Sequence, residues 1–334
     1  MPIQQRSLSI YTLVGAIQSA LWFFVLPSLA KPYWSQIFDN FTNQQAEVIL
    51  WAIGAPYMLL YILVAALPPY YLFRDWEFLQ QYKISKDPWP WLSISKECSR
   101  GDGGKKNDDD ESAKQRQEAF WKQTHKSIIL DFLGLFVFIP ILVYIKTIIF
   151  PDQEMSFSIE DFPAPSIQSA TTLVSMGIIH EFGFYWTHRL MHMYPSLYKY
   201  HKVHHEYKQN NVLSAQHFHP IDFLISIAFP AIMTTVIVRP HGFTQFQFGL
   251  WMVTANFDDH LGYAFPWTAV RWFPWSAGTD AHEYHHSVNM GCYGSKLSLW
   301  DWLFGTDNVY NEWRKKRWGL VVDVRVCGKM RTTS

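Results

Sequence analysis

The chain has 334 residues, and its 28 Lys and Arg balance 28 Asp and Glu to a formal charge of zero, so it lacks the basic footprint of a nucleic-acid-binding protein. Only 17% of residues are charged, against about 25% in ordinary soluble domains, and 49% are hydrophobic, which excludes a disordered or supercharged chain. Three widely spaced cysteines (Cys98, Cys292, Cys327) exclude a disulfide framework and a C-x-x-C metal site.

In chain order, residues 7–30 are uncharged between Arg6 and Lys31, enough to cross a hydrocarbon layer of ~30 Å. Ser28-Leu29-Ala30 looks like a cleavage site, but the run exceeds the roughly 7–15-residue core of a signal peptide, so a membrane helix is expected. Residues 48–67 carry no charge and stop at Pro68-Pro69, giving a second span. Residues 128–150 give a third, with Asp131 and Lys146 near its ends, where a lysine stem can reach the headgroups. A fourth, about 163–179, continues into His180 and Glu181 and delivers the chain to a histidine-rich region. Two uncharged runs, 223–238 and 242–257, flank Arg239-Pro240-His241 and read as a short helical hairpin. The loop 74–126 holds 11 Lys and Arg, whereas 151–165 holds none and four acids. The positive-inside rule then places the first loop, the histidine segments 188–219 and 260–286, and the C-terminal tail on the cytosolic side. Residues near 99–118, around Gly101 to Glu111, read as a disordered cytosolic loop.

Thirteen of the 14 histidines lie between His180 and His286. Three boxes stand out: His188-x-x-x-His192, His201-x-x-His204-His205 and His282-x-x-His285-His286. Residues three and four apart share a helix face, so each box is expected to aim its imidazoles at a common point, which is what a metal requires. Eight box histidines are too many for one first-row ion, and two ions sharing them is the economical reading. An all-imidazole site suits Fe, Cu, Zn or Ni. His219 and His260 are further candidates, and Asp222, Asp258, Asp259, Glu181, Glu206 and Glu283 are candidates to orient ligating rings. His282, Glu283 and His286 also satisfy H-E-x-x-H, the zinc-protease pattern, but that reading leaves two boxes unexplained. A metal transporter would need polar groups inside the spans, whereas these histidines lie at and beyond helix ends.

The strings HRLMH, KYHKVHHEY, DHLGY, HEYHH and WDWLFGTD, with His219-Pro220 between them, resemble the fatty acid hydroxylase/sterol desaturase superfamily over roughly residues 177–307. Within it the chain is most similar to C-4 methylsterol oxidases, with cholesterol 25-hydroxylases close behind. Two departures from the methylsterol oxidase pattern are Ala281, where a histidine is common, and His217, where an aromatic is common. The resemblance implies a metal-ligand set of His188, His192, His201, His204, His205, His219, His260, His282, His285 and His286. It implies a non-heme di-iron centre, O2 as co-substrate, electrons from NAD(P)H through cytochrome b5 or its reductase, and an endoplasmic-reticulum location. The implied reaction is oxidation of a sterol 4-methyl group. Side-chain hydroxylation, acyl or alkyl hydroxylation and sterol desaturation are the alternatives within the superfamily.

The expected architecture is an all-α integral membrane protein: about four transmembrane helices plus a short helical hairpin, with a cytosolic helical cap carrying a histidine-rich dimetal site. Residues 1–165 would be membrane anchors, 166–310 the catalytic domain and 311–334 a cytosolic tail. A lipid would enter between helices, with Phe182, Phe184, Tyr185 and Trp186 as candidates to line its route.

Overall fold

The structure, a computed structural model, describes residues 8–60, 76–85, 89, 106–265, 267–268 and 276–318. Among these residues the fold is helical throughout, and β pairing is confined to the isolated bridges Lys83 with Tyr263 and Ser276 with Leu297. Leu8–Ala20, Leu21–Val25 and Leu26–Phe38 follow one another as one rod, of which Leu13–Phe38 is long and apolar enough to cross a membrane. Its apolar side chains Leu13, Ile17, Leu21 and Phe24 are exposed at helical spacing, as a lipid-facing stripe would be. Pro220–Val238 is the second helix that meets this measure, and Phe136–Ile149 is a shorter apolar one.

The remaining expected spans are helical but more polar or shorter than anticipated. Asn43–Leu60 opens on Asn43, Gln44, Gln45 and Glu47, and the end of the expected span 48–67 lies outside the described residues. Ile167–Met193 runs unbroken from the expected fourth span into the first histidine box and carries His180, Glu181 and Arg189 on the way. The expected hairpin is present as Phe229–Val238 and Gly242–Asp259, with Arg239 in the left-handed conformation (φ 51°) ending the first helix before Pro240.

Three short π-helical turns, Leu21–Val25, Gly134–Phe138 and Phe223–Ala228, share a sequence cause. Each ends two residues before a proline: Pro27, Pro140 and Pro230. A proline inside a helix has no N–H to give and its ring crowds the carbonyl four residues back, and a widened turn relieves both.

Two expectations about charged segments are corrected. Lys146 does not reach headgroups: it is buried, and its ammonium donates to Glu47 at 2.7 and 3.0 Å and to the Gln153 carbonyl at 3.0 Å. All three donors are used, which ties Asn43–Leu60 to Ile139–Ile149 and satisfies two charges that would otherwise be costly to bury. Of the segment near 99–118, residues 99–105 lie outside the described residues, and from Lys106 onward it is helical, within Lys106–Leu133.

Beneath the hairpin, Trp34, Phe38, Phe157, Phe162 and Phe243 form an aromatic cluster, with Trp34 Nε1 donating to the Phe157 carbonyl at 2.8 Å. Gly242 starts its helix against this cluster, and a Cβ there would lie 2.4 Å from the Phe157 ring. Gly242→Ala should therefore cost about 1–3 kcal/mol of stability through overpacking, read as a lowered denaturant midpoint.

Candidate metal centre

Nine of the ten histidines named from the sequence are drawn into two groups. His188, His192, His201, His205 and His285 form one, and His204, His260, His282 and His286 form the other; within each group the ligand atoms lie within 4.8 Å of one another. The first box sits one helical turn apart at the end of Ile167–Met193, and both its rings join the five-membered group. The other two boxes do not aim at a common point, contrary to expectation. In each, the outer pair (i, i+4) serves one group and the middle histidine the other. His201 and His205 face the five while His204 faces the four; His282 and His286 face the four while His285 faces the five. In the α-helix Thr279–Val288, at 100° per residue, i and i+4 are about 40° apart but i+3 and i+4 about 100° apart, so its H-x-x-H-H divides between two centres; the box at His201 instead crosses from the end of one helix into the short turn His204–Glu206. The helix Thr279–Val288 thereby contributes to both groups at once.

The tenth, His219, stands outside both groups. It caps the turn at Pro220–Asp222, its Nδ1 accepting from Ile221 N–H at 3.1 Å. His217, adjacent in the sequence, is fully buried with both nitrogens engaged, by Ser127 Oγ at 2.7 Å and Glu206 at 3.0 Å.

Hydrogen bonds on the far side of five of the nine rings fix which nitrogen faces inward. His188 Nδ1 donates to the Tyr293 carbonyl, His285 Nδ1 to the Gly291 carbonyl, His260 Nδ1 to the Asn256 carbonyl and His286 Nδ1 to the Tyr207 carbonyl. His201 Nδ1 donates to Asp222 at 2.9 Å, and Ser226 Oγ holds the other oxygen of that carboxylate. A neutral imidazole carries one proton, so the Nε2 of each of these rings presents a bare lone pair.

The lone pairs converge. His188 Nε2 and His201 Nε2 are 3.0 Å apart with no proton to share, and His282 Nε2 meets the lone pairs of His260 at 2.9 Å and His286 at 3.1 Å with at most one proton for both. The Nε2 atoms of His192 and His285 are buried without a hydrogen-bond partner. Such an arrangement is repulsive unless a cation joins it. Ligands at ~2.1 Å from one ion and at right angles to each other lie about 3 Å apart, matching these separations. Burial supports the same chemistry, pushing His260 and His285 down to about 3 and His188, His204, His205, His282 and His286 well below their ordinary value. These seven rings are thus held in the neutral form that binds metal.

Of the carboxylates named as candidates, Asp222 alone orients a ligating ring through a bond seen here, and its ring is His201 rather than the adjacent His219. Glu181, wholly buried, instead accepts three backbone N–H groups, from Ser295, Lys296 and Leu297. Glu206 bonds Lys126 and His217, Glu283 accepts from Asn210 N–H, and Asp259 pairs with buried Lys296 at 2.6 Å. The metalloprotease pattern is not realised, because His282 and His286 share their group with His204 and His260. The carbonyls that orient four of the ligands carry no side-chain signature, so sequence reasoning had nothing by which to find them. Asp222→Asn keeps an acceptor but removes its charge, and should weaken metal retention about 10–100-fold in a competition with chelator.

Residues 173–306 match the family model described as Fatty acid hydroxylase. This segment is what carries the similarity to that family. All nine gathered histidines and Asp222 fall inside the matched segment, as does the Glu181-pinned loop. The chain is 38% identical over 137 residues to very-long-chain aldehyde decarbonylase GL1-11 of Oryza sativa subsp. indica, covering 40% of this chain and 51% of the relative. It is 36% identical over 154 residues to methylsterol monooxygenase 2-2 of Arabidopsis thaliana, covering 45% and 57%. To methylsterol monooxygenase 2-1 of the same plant it is 34% identical over 169 residues, covering 45% and 61%. The chain thus spans between half and two thirds of the length of these curated relatives. No solved structure matches it.

Proposed function

We propose that this chain is an O2-dependent lipid oxygenase with two non-heme irons, and that its substrate is a sterol bearing a 4-methyl group. The observation that carries the reading is the interleaving of five and four inward-facing imidazoles within the segment that matches the fatty acid hydroxylase family. His188, His192, His201, His205 and His285 would hold one iron, and His204, His260, His282 and His286 the other. When bound, the pair supplies the redox capacity to put an oxygen atom from O2 into an unactivated C–H bond, which no side chain can do.

The protein's own residues supply order and dryness. The carbonyls of Tyr293, Gly291, Asn256 and Tyr207, with the Asp222 carboxylate, hold the rings in one tautomer and keep their lone pairs inward. Burial of all four histidines of the second group, and of four of the five in the first, keeps water from competing for the site. His219 would act by capping the Pro220 turn that carries Asp222, a positioning rather than a ligating part.

The sterol assignment is supported by relatives named methylsterol monooxygenases. Electrons would come from NAD(P)H through cytochrome b5 or its reductase. The candidate spans support a membrane location and the positive-inside asymmetry supports cytosolic histidines, while the endoplasmic reticulum is what the resemblance implies. Purified protein reconstituted with iron, reductant and O2 should oxidise a 4-methylsterol. If 4-methylsterols stay untouched while another lipid is oxidised, the substrate assignment is wrong. The aldehyde decarbonylase relatives favour a second reading, action on very-long-chain aldehydes, and including such an aldehyde in the same assay separates the two.

A further inference from the structure

Of the nine gathered histidines, His260 alone belongs to none of the three boxes. It stands just past the end of Gly242–Asp259, with no second ligand on its own segment to help place it. The bond from its Nδ1 to the Asn256 carbonyl at 2.8 Å fixes how the ring turns, but not where that helix end lies against the rest of the group. The residue before it is anchored from outside the segment. Asp259 is wholly buried, and it accepts from the Lys296 ammonium at 2.6 Å, 37 residues further along the chain.

Lys296 is itself only 1% exposed, and a lysine is almost never so enclosed unless it is paired. Its polar groups reach three elements that carry or adjoin metal ligands. Its N–H donates to Glu181 at 2.9 Å, on the helix that bears His188 and His192. Its carbonyl accepts from Ala277 N–H at 3.0 Å, just ahead of the helix Thr279–Val288 that bears His282, His285 and His286. Its ammonium, which also donates to Ser295 Oγ, holds Asp259 next to His260. Burial is the main cause of the low pKa of His260 and repulsion from Lys296 adds to it, so the ammonium lies within electrostatic reach of that ring. A buried ion pair adds little net stability, since apolar residues of similar volume often do as well, whereas its short directional bond fixes geometry.

We propose that Lys296 is a positioning residue for the four-histidine group: through Asp259 it holds His260 where its Nε2 meets that of His282, 2.9 Å away. The inference rests on the reading of the two groups as two metal sites. The backbone of Lys296 serves the other ligand helices, but its side chain is directed to the segment of His260. Removing that side chain should therefore loosen the ion of the four-histidine group and leave the ion of the five-histidine group in place. A general weakening of the fold would loosen both.

The test is release of cobalt(II) to excess chelator from the full-length protein, followed by the visible absorption of the bound ion. With His201→Ala the ion that remains is that of the four-histidine group, and with His282→Ala it is that of the five. Lys296→Met, close to lysine in volume but uncharged, should speed release about tenfold or more in the first background and shift the absorption bands of that ion. In the second background release and bands should be unchanged. Because Lys296→Met leaves the buried Asp259 carboxylate without its lysine, a change that can itself unfold a protein, Lys296→Met is also combined with Asp259→Asn. That double variant removes the uncompensated charge but not the loss of the tether, so the same selective release should appear. Equal acceleration in both backgrounds, or release from the double variant as slow as from its parent, overturns the proposal alone. Fewer than two cobalt ions per chain before any substitution would overturn the two-site reading and the proposal with it.

Discussion

Replacing His201 by alanine should remove one of two bound metal ions and lower lipid oxidation by on the order of 100-fold or more. His201 is the hub of its group: its Nε2 lies 3.0 Å from that of His188 and 3.1 Å from that of His205, while its Nδ1 is held by Asp222. Loss of a partner that only orients a ligand costs about 10–100-fold in affinity or activity, and loss of the ligand itself should exceed that. The four-histidine group does not include His201, so the second ion should remain. Elemental analysis of the purified variant beside a turnover assay reads both effects. Retention of two ions would show that the five imidazoles are not a ligand set.

Glu181→Ala should destabilise the protein by about 3 kcal/mol or more, the largest stability effect expected of a residue that touches no metal ligand through a bond seen here. Its Oε2 accepts N–H groups from Ser295, Lys296 and Leu297 at 2.9–3.2 Å in a fully buried setting. Truncation orphans three donors at once, and each costs roughly 1–3 kcal/mol when left unsatisfied. The same loop begins at Tyr293, whose carbonyl holds His188 Nδ1 and whose N–H, with that of Gly294, is fixed by Asp301. The variant should therefore unfold at lower denaturant and release metal faster. An unchanged midpoint would mean that the loop is held by something other than Glu181.

How much of this was legible in the sequence depends on whether a property lives in spacing or in packing. The histidine boxes were legible because their spacings are helical, and nine of the ten histidines do gather. The division of two boxes between two groups was not, because spacing tells which side chains share a face but not which neighbouring helix each face meets. His219, which stands outside both groups, shows a related limit. A histidine before proline looks like one more member of the set, yet the position before a helical proline is where a side chain caps the exposed N–H groups, and its Nδ1 does so. Lys146 reads as a headgroup-seeking lysine until Glu47, 99 residues away in the chain, is placed beside it. The π turns were half legible. Pro27, Pro140 and Pro230 announce a break in each apolar helix, but not whether the helix ends, kinks or widens.

The central claim, two metal ions held by interleaved imidazoles, is tested most directly by the transition-metal content of the purified full-length protein. The account predicts two ions per chain, one lost with His201→Ala and the other with His282→Ala. A single ion per chain, indifferent to His201 and lost with His282, would contradict it and would return His282, Glu283 and His286 to the role of a lone zinc site.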